Sequence, residues 1–175
     1  EYAQAALPVD ARGHLQADPA QDVAKLAVIE RHGANGNIGV GFVQGFGLAD
    51  GAIASTLAHD DHNVIVAGSD DRQMALAANR LRALGGGFVL VRAGAVTAEQ
   101  PLPIAGLMSD RQWQEVADRQ ERLIAAAAEM GLAVRDPTMT LAFLALPVIP
   151  DLKLCDTGLT RFGGADFPAP ARIEG

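Results

Sequence analysis

Apolar positions along the chain fall into short runs, plus two longer stretches at helical spacing. Residues 23–30 read as a strand or a short helix, which periodicity alone does not separate. Residues 38–43 have strand character inside a glycine-dense stretch (Gly33, Gly36, Gly39, Gly41, Gly45, Gly47, Gly51). Ala49-Asp50-Gly51 is a turn signal, and residues 52–57 are expected to return as the partner strand of 38–43. Residues 64–67 predict a strand. Ser69 then suits a helix N-cap, with Asp70 and Asp71 at the positive end of the helix dipole. Met74, Ala77, Ala78, Leu81 and Leu84 make one buried face, and Gly85 to Gly87 stop the helix. Residues 88–91 form the next strand. Strand, helix and strand within about 30 residues read as a βαβ crossover, which predicts parallel strands. Ala93-Gly94 suggests a hairpin into residues 95–99.

Pro101 and Pro103 break that pattern. Ser109 with Gln112 resembles a capping box. The helix that follows is expected to bury Trp113, Val116, Ala117, Leu123, Ile124 and Ala127 and to end at Gly131. Asp136-Pro137 opens a short apolar helix over 138–146, and Pro147 and Pro150 lead to a last strand at 152–154. The expected organisation is an irregular entry over 1–22, a folded domain over 23–160 and a loose tail over 161–175. The expected class is α+β, with mixed β-sheets, at least one βαβ unit and two main amphipathic helices. No fixed-period repeat is present.

Half of the 175 residues are apolar and few are aromatic, a composition suited to one sizeable core. A net charge of −7 with scattered Lys and Arg argues against nucleic acid as a partner. The apolar runs fall short of the roughly 20 residues a membrane helix needs, and Pro147 and Pro150 interrupt the longest. Cys155 is the single cysteine, so no internal disulfide forms. That fits a reducing, cytoplasmic location, with Cys155 read as a small core residue. The chain starts Glu1-Tyr2 without Met, which reads as a piece of a longer protein.

The glycines do not make a nucleotide loop. After Gly39 and Gly41 the third Rossmann glycine would fall at Gln44, and no Gly-Lys-Ser/Thr element exists. The densest polar chemistry is Ala58-His59-Asp60-Asp61-His62-Asn63, directly before an apolar strand. On a helix His59 and His62 would share a face, so they are the metal-ligand candidates, but a complete site needs three or four ligands. Two readings stay open. In one, the aspartates accept backbone N–H bonds in a turn and the histidines satisfy local carbonyls. In the other, the group lines a site, with His59, Asp60 and His62 as catalytic candidates and His32, Asp61 and Asn63 as substrate-binding or interface residues. No Gly-x-Ser-x-Gly elbow exists for a serine nucleophile.

Several stretches together are similar to a known family. They are residues 39–43, 45–48 and 51–55 running into 58–63, then Gly85-Gly86-Gly87, residues 102–109 and residues 139–150. Over about residues 23–160 the chain resembles the C-terminal domain of bacterial adenine deaminases of the amidohydrolase superfamily. One position departs from the pattern: Asp61 stands where the family commonly has Ser. The resemblance implies hydrolysis of adenine to hypoxanthine and ammonia by a full enzyme carrying divalent metals (manganese, iron or zinc) in a separate barrel. Such metals lower the pKa of a bound water toward about 7. That barrel's His-x-His pair is absent from this sequence, so the fragment alone is expected to be inactive and metal-free. The expected partners are the catalytic amidohydrolase barrel, adenine and further copies of the chain in a homo-oligomer, with neither nucleic acid nor membrane. The competing expectations are a non-catalytic oligomerisation module, in which residues 144–150 bury against another subunit, and a stand-alone purine-binding protein.

Overall fold

In the first strand, β1 (Val23–Ile29), alternate residues enter different cores. Ala24, Leu26 and Val28 join one apolar cluster, while Ala27 and Ile29 face the other. Lys25 shares that second side, where its Nζ lies 2.7 Å from Asp71 Oδ1. The alternation recurs in β4 (Val64–Gly68), with Ile65 and Ala67 on the first side and Val66 on the second. Strands buried on both faces need a layer on each. The computed structural model, which describes residues 5–33 and 35–161, supplies both.

The remaining strands are β2 (Ile38–Gln44), β3 (Ala52–Ser55), β5 (Gly87–Arg92), β6 (Ala95–Pro101), β7 (Leu152–Cys155) and β8 (Gly158–Arg161). The helices are α1 (Asp71–Leu84), α2 (Trp113–Glu129) and α3 (Pro137–Phe143). Residues 5–22 enter through a bridge between Val9 and Leu15 and a 3-10 turn at Pro19–Gln21. The expected tail from 162 onward lies outside the described residues. A six-stranded sheet runs β2-β1-β4-β3-β5-β6, and β7 pairs with β8. Helix α1 covers one face, packing Met74, Ala77 and Leu81 on Ala52, Ala54, Val66 and Val89. The other face carries Leu123, Ala127, Met130, Leu141 and Leu154 against Leu26, Val28, Ile53, Ile65 and Leu90. Each fully buried Leu, Ile, Val or Met among them contributes about 1.5–3 kcal/mol. No helix among the described residues is long and apolar enough to cross a membrane.

The α+β class holds, but the sheet is not mixed: every pairing between the named strands is antiparallel. Strands β4 and β5 flank α1 and share a direction, as a crossover requires. Strand β3 lies between them, antiparallel to both. All four of its residues are buried, so its backbone must be paired on both edges. That places it in the centre of the sheet rather than beside β2. The connection from β2 is fastened on the way: Gly47 N–H donates to Asp22 Oδ1 at 2.7 Å and Ala49 N–H to the Met130 carbonyl at 3.2 Å. These bonds carry the chain past β1 and β4.

Three local expectations are corrected. The N-cap of α1 is Asp70, whose carboxylate accepts from Arg72 and Gln73 N–H at 3.0 Å each. Ser69 is drawn off by Gly51, which donates to its Oγ at 3.0 Å. Ser109 forms no capping box with Gln112, because its Oγ accepts from Arg111 N–H at 3.1 Å and Gln112 makes no side-chain cap bond. Trp113 is 73% exposed, and Ala117 and Ile124 are exposed as well, because α2 buries only Leu123 and Ala127 against the sheet and its first turns overhang.

Candidate functional site

Antiparallel alternation sends the ends of all six strands to two opposite margins. At one margin lie the end of β1, the start of β2, the end of β3, the starts of β4 and β5 and the end of β6. Residues 30–33, 35–37, 56–63, 85–87 and 102–109 therefore meet there, although they are scattered through the sequence. Helix α3 packs on β3 and β4 beside them.

The segment 58–63 is pinned at both ends. Ala58 is fully buried in the larger core, and its carbonyl accepts from His62 N–H at 2.6 Å. Asn63 is buried, and the Asp61 carboxylate accepts from its backbone N–H at 3.2 Å and its Nδ2 at 3.1 Å. Asp61 is thus an Asx turn former. Its own carbonyl lies 2.7 Å from His32 Nε2. The structure brings His32, His59, Asp61, His62 and Asn63 together. Asp60 is exposed and makes no hydrogen bond or ion pair among the described residues.

The two imidazoles form an edge-on pair, with centroids 5.5 Å apart at 66°. His59 also lies 5.9 Å from the ring of Phe143, at the end of α3. His62 Nδ1 is buried with no hydrogen-bond partner among the described residues. Burial, then the neighbouring His59 and Arg31, hold the His62 pKa below its ordinary value, against the opposing pull of Asp61 and Asp60. A neutral ring offers one N–H donor and one bare nitrogen acceptor. Two imidazoles alone do not make a metal centre, and no three His, Cys, Asp or Glu gather to hold one among the described residues.

Arg31 and its neighbours matter in ways that sequence reasoning passed over. Arg31 Nε donates to the His62 carbonyl at 2.5 Å and Nη2 to the Ala105 carbonyl at 2.9 Å, while its backbone N–H donates to Asn63 Oδ1 at 3.2 Å. His62 and Ala105 have left-handed backbones, at φ +53° and +58°. Such conformations cost non-glycine residues on the order of 1–3 kcal/mol each. Glu30 gathers the following loop, accepting from the N–H groups of His32 at 2.5 Å, of Gly33, and of Asn35 at 3.1 Å. The Gly33 bond foremost holds its pKa below the usual carboxylate value, with burial opposing. Buried Thr56 accepts from Gly87 N–H at 2.8 Å and donates to the Gly106 carbonyl at 2.6 Å. The available signal was the polar run Glu30-Arg31-His32 at a strand end, beside the dense polar cluster at the neighbouring strand's start.

Cys155 is partly buried on β7, with Sγ 3.7 Å from Thr160 Oγ1. Burial pushes its thiol pKa up, and the charges of Asp61 and Asp156 add to that. Two clefts, of about 670 and 880 Å³, lie elsewhere. The first runs between β1–β2 and α1, and the second between β6 and α2. Neither is lined by His59 or His62.

The adenine deaminase C-terminal domain family matches residues 1–164. The adenine deaminase of Brucella anthropi is 56% identical over 145 residues, which cover 83% of this chain and 26% of that protein. That of Gluconobacter oxydans is 52% identical over 159 residues, covering 91% and 28%. That of Cereibacter sphaeroides is 55% identical over 152 residues, covering 87% and 26%. The chain spans about a quarter of the length of these curated relatives.

Proposed function

The chain belongs to the adenine deaminase C-terminal domain family, and from that premise we propose that it serves as the C-terminal domain of a cytoplasmic adenine deaminase. In this reading the margin carrying His59 and His62 packs on the catalytic barrel near the mouth of its active site. The reaction adds water to C6 of adenine, breaks the C6–N bond and releases ammonia, leaving hypoxanthine. Divalent metals held by residues outside this chain would supply the activated water.

The observation that carries the proposal is the His62 Nδ1 atom, desolvated yet unpartnered, beside a second imidazole at the margin where the motif segments converge. A buried polar atom without a partner costs on the order of 1–3 kcal/mol, and an approaching surface can relieve that cost. A neutral imidazole held there can hydrogen-bond the purine or pass a proton near neutral pH. Family membership supports adenine as the substrate, and the desolvated pair supports a part for this chain in handling it.

The test is His59→Ala and His62→Ala in the full-length enzyme, with turnover, KM and thermal stability measured on each. Lower turnover at unchanged stability is expected. Wild-type values for all three quantities in both variants would sink the proposal.

A second reading, a non-catalytic assembly module, draws on Phe143 and Val148. They stay 42% and 54% exposed, while Ala145 and Leu146 between them turn into the core. Sedimentation of a Val148→Asp variant separates the two: a smaller assembly with intact turnover favours this reading.

A further inference from the structure

We propose that Arg31 is a positioning residue for the deamination site, clamping the strained turns at His62 and Ala105 so that the His59–His62 pair is presented in one fixed arrangement. This rests on the reading of that margin as the part that meets the catalytic barrel.

Three observations carry it. The guanidinium bonds the carbonyls of two residues from turns far apart in sequence, His62 and Ala105. Those two residues are both non-glycine and both left-handed, so each turn is held against its own backbone preference. Finally, the guanidinium packs against Gly106, where an added β-carbon would lie 3.0 Å from both Nη atoms. Gly106 is in turn tied to the end of β3 by Thr56. The clamp thus spans the ends of β1, β3, β4 and β6.

The choice of residue fits the task. Arginine donates from a rigid planar fork, so Nε and Nη2 can address two carbonyls in different directions at once, which a lysine ammonium on a flexible stem does not reproduce. No carboxylate neutralises this cation among the described residues, and burial alone shifts its pKa, downward. Its charge therefore acts on what is nearby. His62 feels Arg31 from the end of β1, His59, Asp60 and Asp61 from its own loop, and only the uncharged Phe143 ring from α3, by way of His59.

The experiment compares Arg31→Ala, Arg31→Lys, His62→Ala and, at the opposite sheet margin, Arg92→Ala as a control, all in the full-length enzyme. Hydrogen exchange, kcat and KM across pH, and melting temperature are read on each. For Arg31→Ala the amides of His62 and Met108 should exchange about tenfold faster together, with those of Val66 and Val89 unchanged. Turnover should fall about tenfold with KM little altered. The acid limb of the kcat profile should move to higher pH, because removing a cation eases protonation of His62. Arg31→Lys should remain impaired, whereas added guanidinium should partly restore Arg31→Ala. Should the alanine variant not fold, the same readings on Arg31→Lys decide the matter.

Wild-type exchange and turnover in the Arg31 variants would overturn the inference while leaving the function above intact, provided His62→Ala is slow. A fall in melting temperature alone, with kcat and its acid limb unmoved, would also overturn it, reducing Arg31 to a structural residue. Full activity in His62→Ala would remove the reading beneath it, and the inference would fall with that reading.

Discussion

A β-carbon placed on Gly39 would lie 1.9 Å from the carbonyl oxygen of Cys155. The β7–β8 hairpin rests directly on the backbone of β2, and Gly39 and Gly41 clear the surface for it. At Gly41 the nearest atom to an added β-carbon is Leu154 Cδ1, at 3.4 Å. Gly39→Ala should therefore displace the hairpin and cost about 1–3 kcal/mol, whereas Gly41→Ala meets only a side chain that can turn aside. Urea unfolding of both variants checks this. Equal losses would contradict the seating of the hairpin.

The His62 shift sets a pH dependence. In the folded chain its pKa lies below the ordinary 6.5, chiefly through burial. The unfolded chain takes up the proton first as pH falls, so stability is fully present above pH 6.5 and declines as pH drops from there toward the folded value. Melting temperature should fall more steeply between pH 7.5 and pH 5.5, roughly the histidine range, in the parent than in His62→Gln. Parallel curves would show that the imidazole is not desolvated.

Asp61 both forms the turn and carries a charge, and the two roles can be parted. A serine hydroxyl can still accept from Asn63 N–H in an equivalent turn, but the bond from Asn63 Nδ2 and the negative charge are lost. Asp61→Ser should fold normally. Because the carboxylate raises both pKa values, the His62 pKa should drop further and the Cys155 thiol should also drop. Imidazole NMR titration and the pH dependence of alkylation by iodoacetamide read the two shifts. Unchanged values for both would refute the electrostatic link.

Thr56 makes a cheap-looking substitution expensive. The residue is only 2% exposed, and its hydroxyl serves Gly87 N–H and the Gly106 carbonyl at once. Thr56→Val keeps the shape and orphans both groups, at about 1–3 kcal/mol for each one left unsatisfied. Chemical denaturation should show the loss, with Thr56→Ser retaining most of the stability. A neutral Thr56→Val would show that water replaces the hydroxyl.

The elements most legible in the sequence were those whose signals were local. Residues 64–91 announced β4, α1 and β5 because a strand, a periodic helix and a glycine stop sit together there. The position of β3 was not legible, since it pairs with β4 and β5 rather than with the preceding β2, after a connection whose Gly47 and Ala49 N–H groups donate to Asp22 and Met130. Ser69 read as the cap, but Gly51 takes its hydroxyl and Asp70 caps the helix instead. Trp113 misled because helical spacing marks a face without saying whether anything covers it. At the candidate site, the polar density of residues 58–63 was plain. The role of Arg31 was hidden, because its targets are backbone carbonyls, which every residue has.

The two margins of the sheet differ in what they can tolerate. Opposite the histidines, Ala93 and Gly94 close the β5–β6 hairpin in the open, with nothing within 4 Å of where a Gly94 side chain would begin. Exposed tips of that kind accept added chain. A fluorophore-binding tag or a small reporter domain spliced at this tip would sit a full strand length from Arg31 and His62. It would provide a handle for watching the domain dock without touching the end that is proposed to dock.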